Sequence, residues 1–189
     1  MLSASENRFE IDLDLVFHSY QDAHLINNIF FNNEALWRSN LKVWIDYVRR
    51  NDNYLCPAIV RSVNCLSIGL QFTDDKSIMK INQQWRAKEE PTDVLSFPVI
   101  DQDSIAPPPN HFLELGDIIV SVQTAQKQAD ENNHSLDKEL CWLVSHGLLH
   151  LLGWDHLNEH SLDQMLSFQD KLLQINHDSQ IAVSRGLQP

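Results

Sequence analysis

A chain of 189 residues is long enough for one domain with a sizeable core, and a hydrophobic fraction of 43% with 21% charged residues excludes a disordered or low-complexity protein. No apolar run reaches bilayer length and the acidic start MLSASENRFEIDLD carries no apolar leader, so a soluble, cytoplasmic protein without a membrane partner is expected. The net charge of −12 argues against tight binding to naked nucleic acid, and three cysteines without C-x-x-C spacing suggest neither a disulfide framework nor a cysteine metal site.

FEIDLDLVFH, residues 9–18, alternates apolar and acidic positions and predicts a half-buried strand. Residues 34–50 place Leu36, Leu41, Trp44, Ile45 and Val48 near helical spacing and end in two arginines, which favour a helix C-terminus. NCLSIGLQF (64–72) alternates again, and the stretch from Asp74 to Lys88 reads as a helix with acids in its first turn. PTDVLSFPVI (91–100) is a short strand bounded by prolines, followed by a Pro-rich polar loop over 101–112. LGDIIVSV adds a strand and SVQTAQKQADENN a helix; a further helix starts near Ser135, and a last one runs from about Asn158 to Ile175 before a polar tail over 177–189. Helices gathered toward the end predict an α+β domain, a mixed sheet of about four to five strands with helices packed on it. Nine basic residues against five acidic ones between Glu34 and Lys88 make the charge lopsided, which marks either an anion-binding face or chance segregation of surface charge.

The helix from Ser135 is apolar nearly all round, so it belongs in the middle of the molecule and its polar residues need a reason. His146 and His150 stand four apart, about 6 Å along one helix face. Gly153 suits a left-handed helix end, from which the chain can return His156 to the same point. Three imidazoles with no fourth protein ligand predict a catalytic metal site with an open position, zinc first among the metals that suit imidazole. This H-x3-H-x5-H spacing is that of metzincin peptidases, but Gly147 stands where they carry a catalytic Glu. A metal can itself bring bound water from a pKa of about 15.7 to roughly 7, so hydrolysis does not require that Glu. A helix-interior glycine costs about 1 kcal/mol against alanine. Gly147 either admits backbone or substrate beside the metal or serves close helix–strand packing.

These residues resemble the YbeY endoribonucleases, bacterial and organellar enzymes of ribosomal RNA maturation. The family motif H-G-x-L-H-L-x-G-[YW]-D-H is matched from His146 to His156; INQQWRAKEEPTDVLSFP (81–98) and L-G-D-I (115–118) match two further blocks, and the resemblance covers about residues 67–170. It implies an α+β fold, one zinc ion on His146, His150 and His156, and single-strand endonuclease activity at the 3′ end of small-subunit rRNA and in ribosome quality control. Single-stranded ribosomal RNA and ribosome-associated proteins are the implied partners, with DNA not expected. Arg86 matches the family's important arginine. It can clamp a phosphate bidentately, with Lys88 beside it as a second substrate contact, and Arg86 and His150 are the expected catalytic pair. Asp93 could cap a turn or support Arg86, and Asp117 or Asp155 could orient a ligand histidine. The long stretch before residue 67 and the Pro-rich loop depart from the usual family length. A zinc metalloprotease and a non-catalytic ribosome-biogenesis factor with a structural metal are the competing expectations.

Overall fold

The computed structural model describes residues 9–17, 33–101, 104–108 and 111–184. In chain order the elements are β1 (Glu10–Phe17), α1 (Glu34–Arg50), α2 (Ala58–Ser62), β2 (Cys65–Thr73), α3 (Asp75–Arg86), β3 (Val94–Pro98), β4 (Leu113–Ser121), α4 (Val122–Glu131), α5 (Leu136–Leu151) and α6 (Glu159–Ser184). The four strands form one mixed sheet in the order β1-β2-β4-β3, with β1 and β4 parallel to β2 and β3 antiparallel to β4.

Alternation decides which face each strand buries. In β2, Leu66, Ile68, Leu70 and Phe72 are buried while the residues between them are only partly covered. Each such side chain contributes about 1.5–3 kcal/mol relative to exposure. Trp37 of α1 meets Phe72 with ring centroids 5.3 Å apart, and α1, α5 and α6 close over that face in the main core. On the other face, Ile78 of α3 packs with Leu95 and Ile119 in a smaller cluster. In β1, Glu10, Asp12 and Asp14 point to solvent and Ile11 and Leu13 inward, as its alternation predicts.

Short polar side chains start the helices. Asn33 accepts from the Leu36 N–H at 3.0 Å, Asp74 from Ser77 at 2.6 Å and Ser135 from Lys138 at 3.3 Å. The basic stretch also finds its use in helix termination: Arg61 donates to the carbonyls of Val48 (3.2 Å), Arg49, Asn51 (3.0 Å) and Tyr54 (2.9 Å), and Arg49 donates to Arg61 and Val63. Arg61 thus binds the negative end of α1 and Arg49 that of α2, and of the basic residues in this stretch Arg86 alone lines the histidine cavity.

Two points of the sequence reading are corrected. The short helix α2 was not legible, being one turn after Pro57. The last helix does not end near Ile175 but continues to Ser184, through much of the supposed tail. Residue 18, the end of the first predicted strand, lies outside the described residues, as do 102–103 and 109–110 of the Pro-rich loop and 185–189 of the tail. In β4 the register against β2 slips by one residue at Leu115, and Gly116 turns with φ 124°. A Cβ there would come 2.1 Å from the Phe97 carbonyl oxygen, so only glycine fits this bulge.

Candidate metal centre and its cavity

Helix α5 carries His146 and His150 on the one strip of its surface that is not fully buried, with Leu143, Val144, Gly147, Leu148 and Leu151 sealed beneath. The helix stops where it must for the third histidine to return. Gly153 adopts φ 88°, its N–H donates to the His150 carbonyl at 3.0 Å, and the Trp154 N–H donates to Leu149 at 3.0 Å. Asp155 then accepts the His156 N–H at 2.8 Å and fixes the reversed chain. The three imidazoles converge: ring centroids lie 4.8, 5.2 and 5.7 Å apart, and one nitrogen from each falls within 4.8 Å of the others. Among the described residues no cysteine or carboxylate joins this group.

The imidazoles meet the requirements of metal ligands. The Nε2 atoms of His146 and His150 lie 3.2 Å apart, where two nitrogens each about 2.0–2.1 Å from one tetrahedral zinc would lie roughly 3.3 Å apart. Each ring's other nitrogen is committed elsewhere. His146 Nδ1–H donates to the Gln169 side-chain oxygen at 3.1 Å, and His150 Nδ1–H donates to the Trp154 carbonyl at 2.9 Å. Because both acceptors are carbonyl-type oxygens, the Nδ1 protons are held there and the Nε2 lone pairs are left to face the common point. Burial pushes both histidines below their ordinary pKa, outweighing the Gln169 and Trp154 hydrogen bonds, and so keeps them neutral and able to ligate. Trp142 stacks on His146 at 5.3 Å with 5° between the planes and holds the ring from the side.

Gln169 escaped the sequence reading. It is fully buried on α6 among Met165, Phe168 and Leu172, and its amide donates to the Trp142 carbonyl at 2.7 Å while its oxygen faces His146. A glutamine on the buried face of an amphipathic helix is the signal that could have found it.

The histidines open on a cavity of about 220 Å³ lined by Arg86, Thr92, Asp93, Val94, Ser96, Trp142 and the three histidines. Arg86 is the last residue of α3, exposed, and among the described residues it forms no ion pair, with Glu89 and Glu90 included. Its position is set by the turn that ends α3: Ala87 is left-handed at φ 56°, its N–H donates to Gln83, and the buried Asn82 donates to the Glu90 carbonyl at 2.9 Å. Asp93 also lines the cavity, but its carboxylate accepts from Thr92 (3.1 Å), the Val94 N–H (2.8 Å) and Gln128 (3.0 Å), which spend it on holding the loop.

Other expected site residues fall elsewhere. Lys88 is exposed and does not line the cavity. Asp117 alternates with Ile118, which faces Gly147 of α5, so its side chain lies on the opposite face of the sheet, against Gly69. The rings of His146 and His150 are thus oriented by Gln169 and a main-chain carbonyl, while Asp155 acts on the main chain at His156. Gly147 does not open toward the metal point. A Cβ on it would come 2.8 Å from Ile118 and 3.0 Å from Ser96, so its role is close packing of α5 on β3 and β4.

The fold and the site together define an α+β protein with a candidate three-histidine metal centre at the floor of a small polar cavity that one arginine enters. The family model described as Endoribonuclease YbeY matches residues 35–177, and this chain belongs to that family. Similar curated proteins include an Endoribonuclease YbeY of Prochlorococcus marinus (strain MIT 9313), 48% identical over 182 residues covering 93% of this chain and 97% of that one. Another, from Synechococcus sp. (strain CC9902), is 48% identical over 164 residues, 87% of this chain and 90% of that one. Among solved structures, the solution structure of TM1509 from Thermotoga maritima is similar in fold, with a TM-score of 0.53 at 22% identity over 90% of this chain and 93% of that one.

Proposed function

We propose that this protein is a metal-dependent endoribonuclease that cuts single-stranded RNA, acting on ribosomal RNA at the 3′ end of the small-subunit 16S species and in ribosome quality control. Its relatives carry the name Endoribonuclease YbeY over nearly their whole length. The observation that carries the reading is the convergence of three imidazoles and Arg86 on one cavity. The donor set fits a single zinc ion, although nickel, copper or iron also suit imidazole. When bound there, the ion would polarise a phosphoryl oxygen and acidify water.

The chain's own residues supply the rest. Arg86 can hold a phosphodiester bidentately above the histidines and stabilise the negative charge that grows on its oxygens during cleavage. Gln169 and the Trp154 carbonyl keep the ligand nitrogens aimed, and the Asn82–Glu90 bond keeps Arg86 at the mouth. A net charge of −12 opposes tight binding to naked RNA, so ribosomal particles or ribosome-associated proteins supply part of the recognition, in the cytoplasm, with neither DNA nor membrane as partner. On this proposal residues 1–189 act as one domain, with 101–112 an insertion in it.

The competing functions fit less well. A peptidase of metzincin type needs a carboxylate beside the first histidine, and the Gly147 position there is packed against the sheet. A purely structural metal calls for a closed ligand set, whereas this one faces a cavity. The test is cleavage of a single-stranded rRNA 3′-end precursor, free and in ribosomal particles, by protein with measured metal content. Chelation and His150→Ala should abolish cutting while the circular dichroism of the domain persists. Absence of RNA cleavage under every one of these conditions by the metal-loaded wild type overturns the proposal.

A further inference from the structure

The chain has five tryptophans, and four of them have structural work. Trp37 and Trp44 are fully buried; Trp142 stacks on His146, and Trp154 stacks on Phe168 at 5.0 Å. Trp85 is different. It is 66% exposed, and its ring partner, Phe97 of β3, meets it edge-on, with centroids 5.6 Å apart and 64° between the planes. An edge contact fixes an indole without covering both of its faces.

Position gives this exposed ring its meaning. Trp85 directly precedes Arg86 in the last turn of α3, and that turn is pinned by the Ala87 cap and by the Asn82 bond to Glu90. Arg86 reaches the cavity, bordered by Val94 and Ser96 on one side of β3, while Trp85 rests on Phe97, which alternates to the other side of the same edge strand. Arg86 and Trp85 thus flank the edge strand β3, the guanidinium at the cavity and the indole on the other side of the strand. Val99, 55% exposed, extends the apolar surface just beyond the end of β3.

We propose that Trp85 is a stacking platform for an unpaired nucleobase next to the phosphate held by Arg86, and that it contributes to selection of single-stranded RNA. The inference rests on the endoribonuclease reading and deepens it. A base in a duplex is stacked and paired already, so only an unpaired base can turn its face to the indole without first melting its helix. Every base has such a face, so Trp85 selects strandedness rather than sequence.

The test is equilibrium binding of a fluorescent single-stranded RNA to His150→Ala protein, which does not cut, in its Trp85, Trp85→Ala and Trp85→Phe forms. Trp85→Ala should bind about 5- to 150-fold more weakly, as expected for one lost base–aromatic stack, and Trp85→Phe should recover most of the affinity. An RNA series with one abasic nucleotide moved along the strand should contain one position at which the Trp85 and Trp85→Ala forms bind alike. A merely structural tryptophan would not produce that coupling. Equal binding by the two forms to intact RNA, with unchanged melting temperature, overturns the stacking role while cleavage by wild-type protein leaves the nuclease reading standing; so does a loss that no abasic position removes. A wild-type protein that neither binds nor cuts RNA overturns both.

Discussion

Gln169 of α6 and His146 of α5 are joined by a 3.1 Å hydrogen bond in which the imidazole Nδ1–H donates to a fully buried amide oxygen. The same amide donates to the Trp142 carbonyl, so its orientation is fixed and its oxygen cannot rotate away. This one side chain decides which nitrogen of His146 is free to ligate. Gln169→Leu, similar in volume but without the acceptor, is expected to weaken metal binding about 10- to 100-fold. Competition with a chromophoric chelator near neutral pH would measure it, and an unchanged affinity would show that the tautomer is set by other means.

Arg86 is exposed and its guanidinium has no role in the packing, so its replacement should be felt in catalysis and not in folding. Arg86→Gln is expected to lower kcat/KM on single-stranded RNA by about 10²–10³-fold with the melting temperature unchanged. Arg86→Lys should recover little, because an ammonium cannot reproduce the two-pronged contact with a phosphate.

Gly147 lies so close to β3 and β4 that even one methyl group is too many. Gly147→Ala gains about 1 kcal/mol of helix propensity, but must push aside the β-branched Ile118, an overpacking that costs about 1–3 kcal/mol. A net loss of up to about 2 kcal/mol is expected from denaturant titration, together with weaker metal binding, because the displaced helix carries His146 and His150. Gly147→Glu, which would install the peptidase carboxylate, should fail to fold stably and yield no peptidase.

His146 and His150 both titrate below the ordinary histidine value near 6.5 because burial disfavours the charged ring. In metal-free protein the folded state then binds fewer protons than the unfolded chain below that value. The stability these rings contribute is complete above about pH 6.5 and is lost as pH falls from there through their depressed values. Thermal melts of chelated protein should fall in that window, and His150→Gln should blunt the fall. A steeper fall in the variant would contradict the assignment.

Burial, with Asp137 nearby, pushes the Cys141 thiol up to about 12. Its thiolate fraction at about pH 8 is negligible, and alkylation needs the thiolate. Mass spectrometry after iodoacetamide treatment at that pH should find Cys141 unmodified in the folded protein and modified in denaturant.

The histidine site was legible because its three imidazoles lie on one helix and the turn after it, where spacing translates directly into geometry. Gln169 was not legible: it comes from a different helix, and nothing in local spacing says which buried polar residue will face which ring. Asp117 misled for a related reason. Strand alternation separates it from Ile118, but only the packed structure tells which of the two faces α5. The strands and long helices followed their periodicities. The α2 turn has too few residues to display one, and the unbroken run of α6 through its polar end lacked an apolar stripe that would announce it.

All three candidate ligands lie within the eleven residues from His146 to His156. Drawing them together in an unfolded chain closes only a short loop, and the entropy lost in closing a loop grows with its length. A divalent ion can therefore be caught by the nascent segment before the sheet exists. Since whatever also binds the denatured chain stabilises the native one less, the ion should raise the melting temperature by less than its affinity for the finished protein implies. An ion held by these three side chains would then matter more to the chemistry in the cavity than to the shape of the domain.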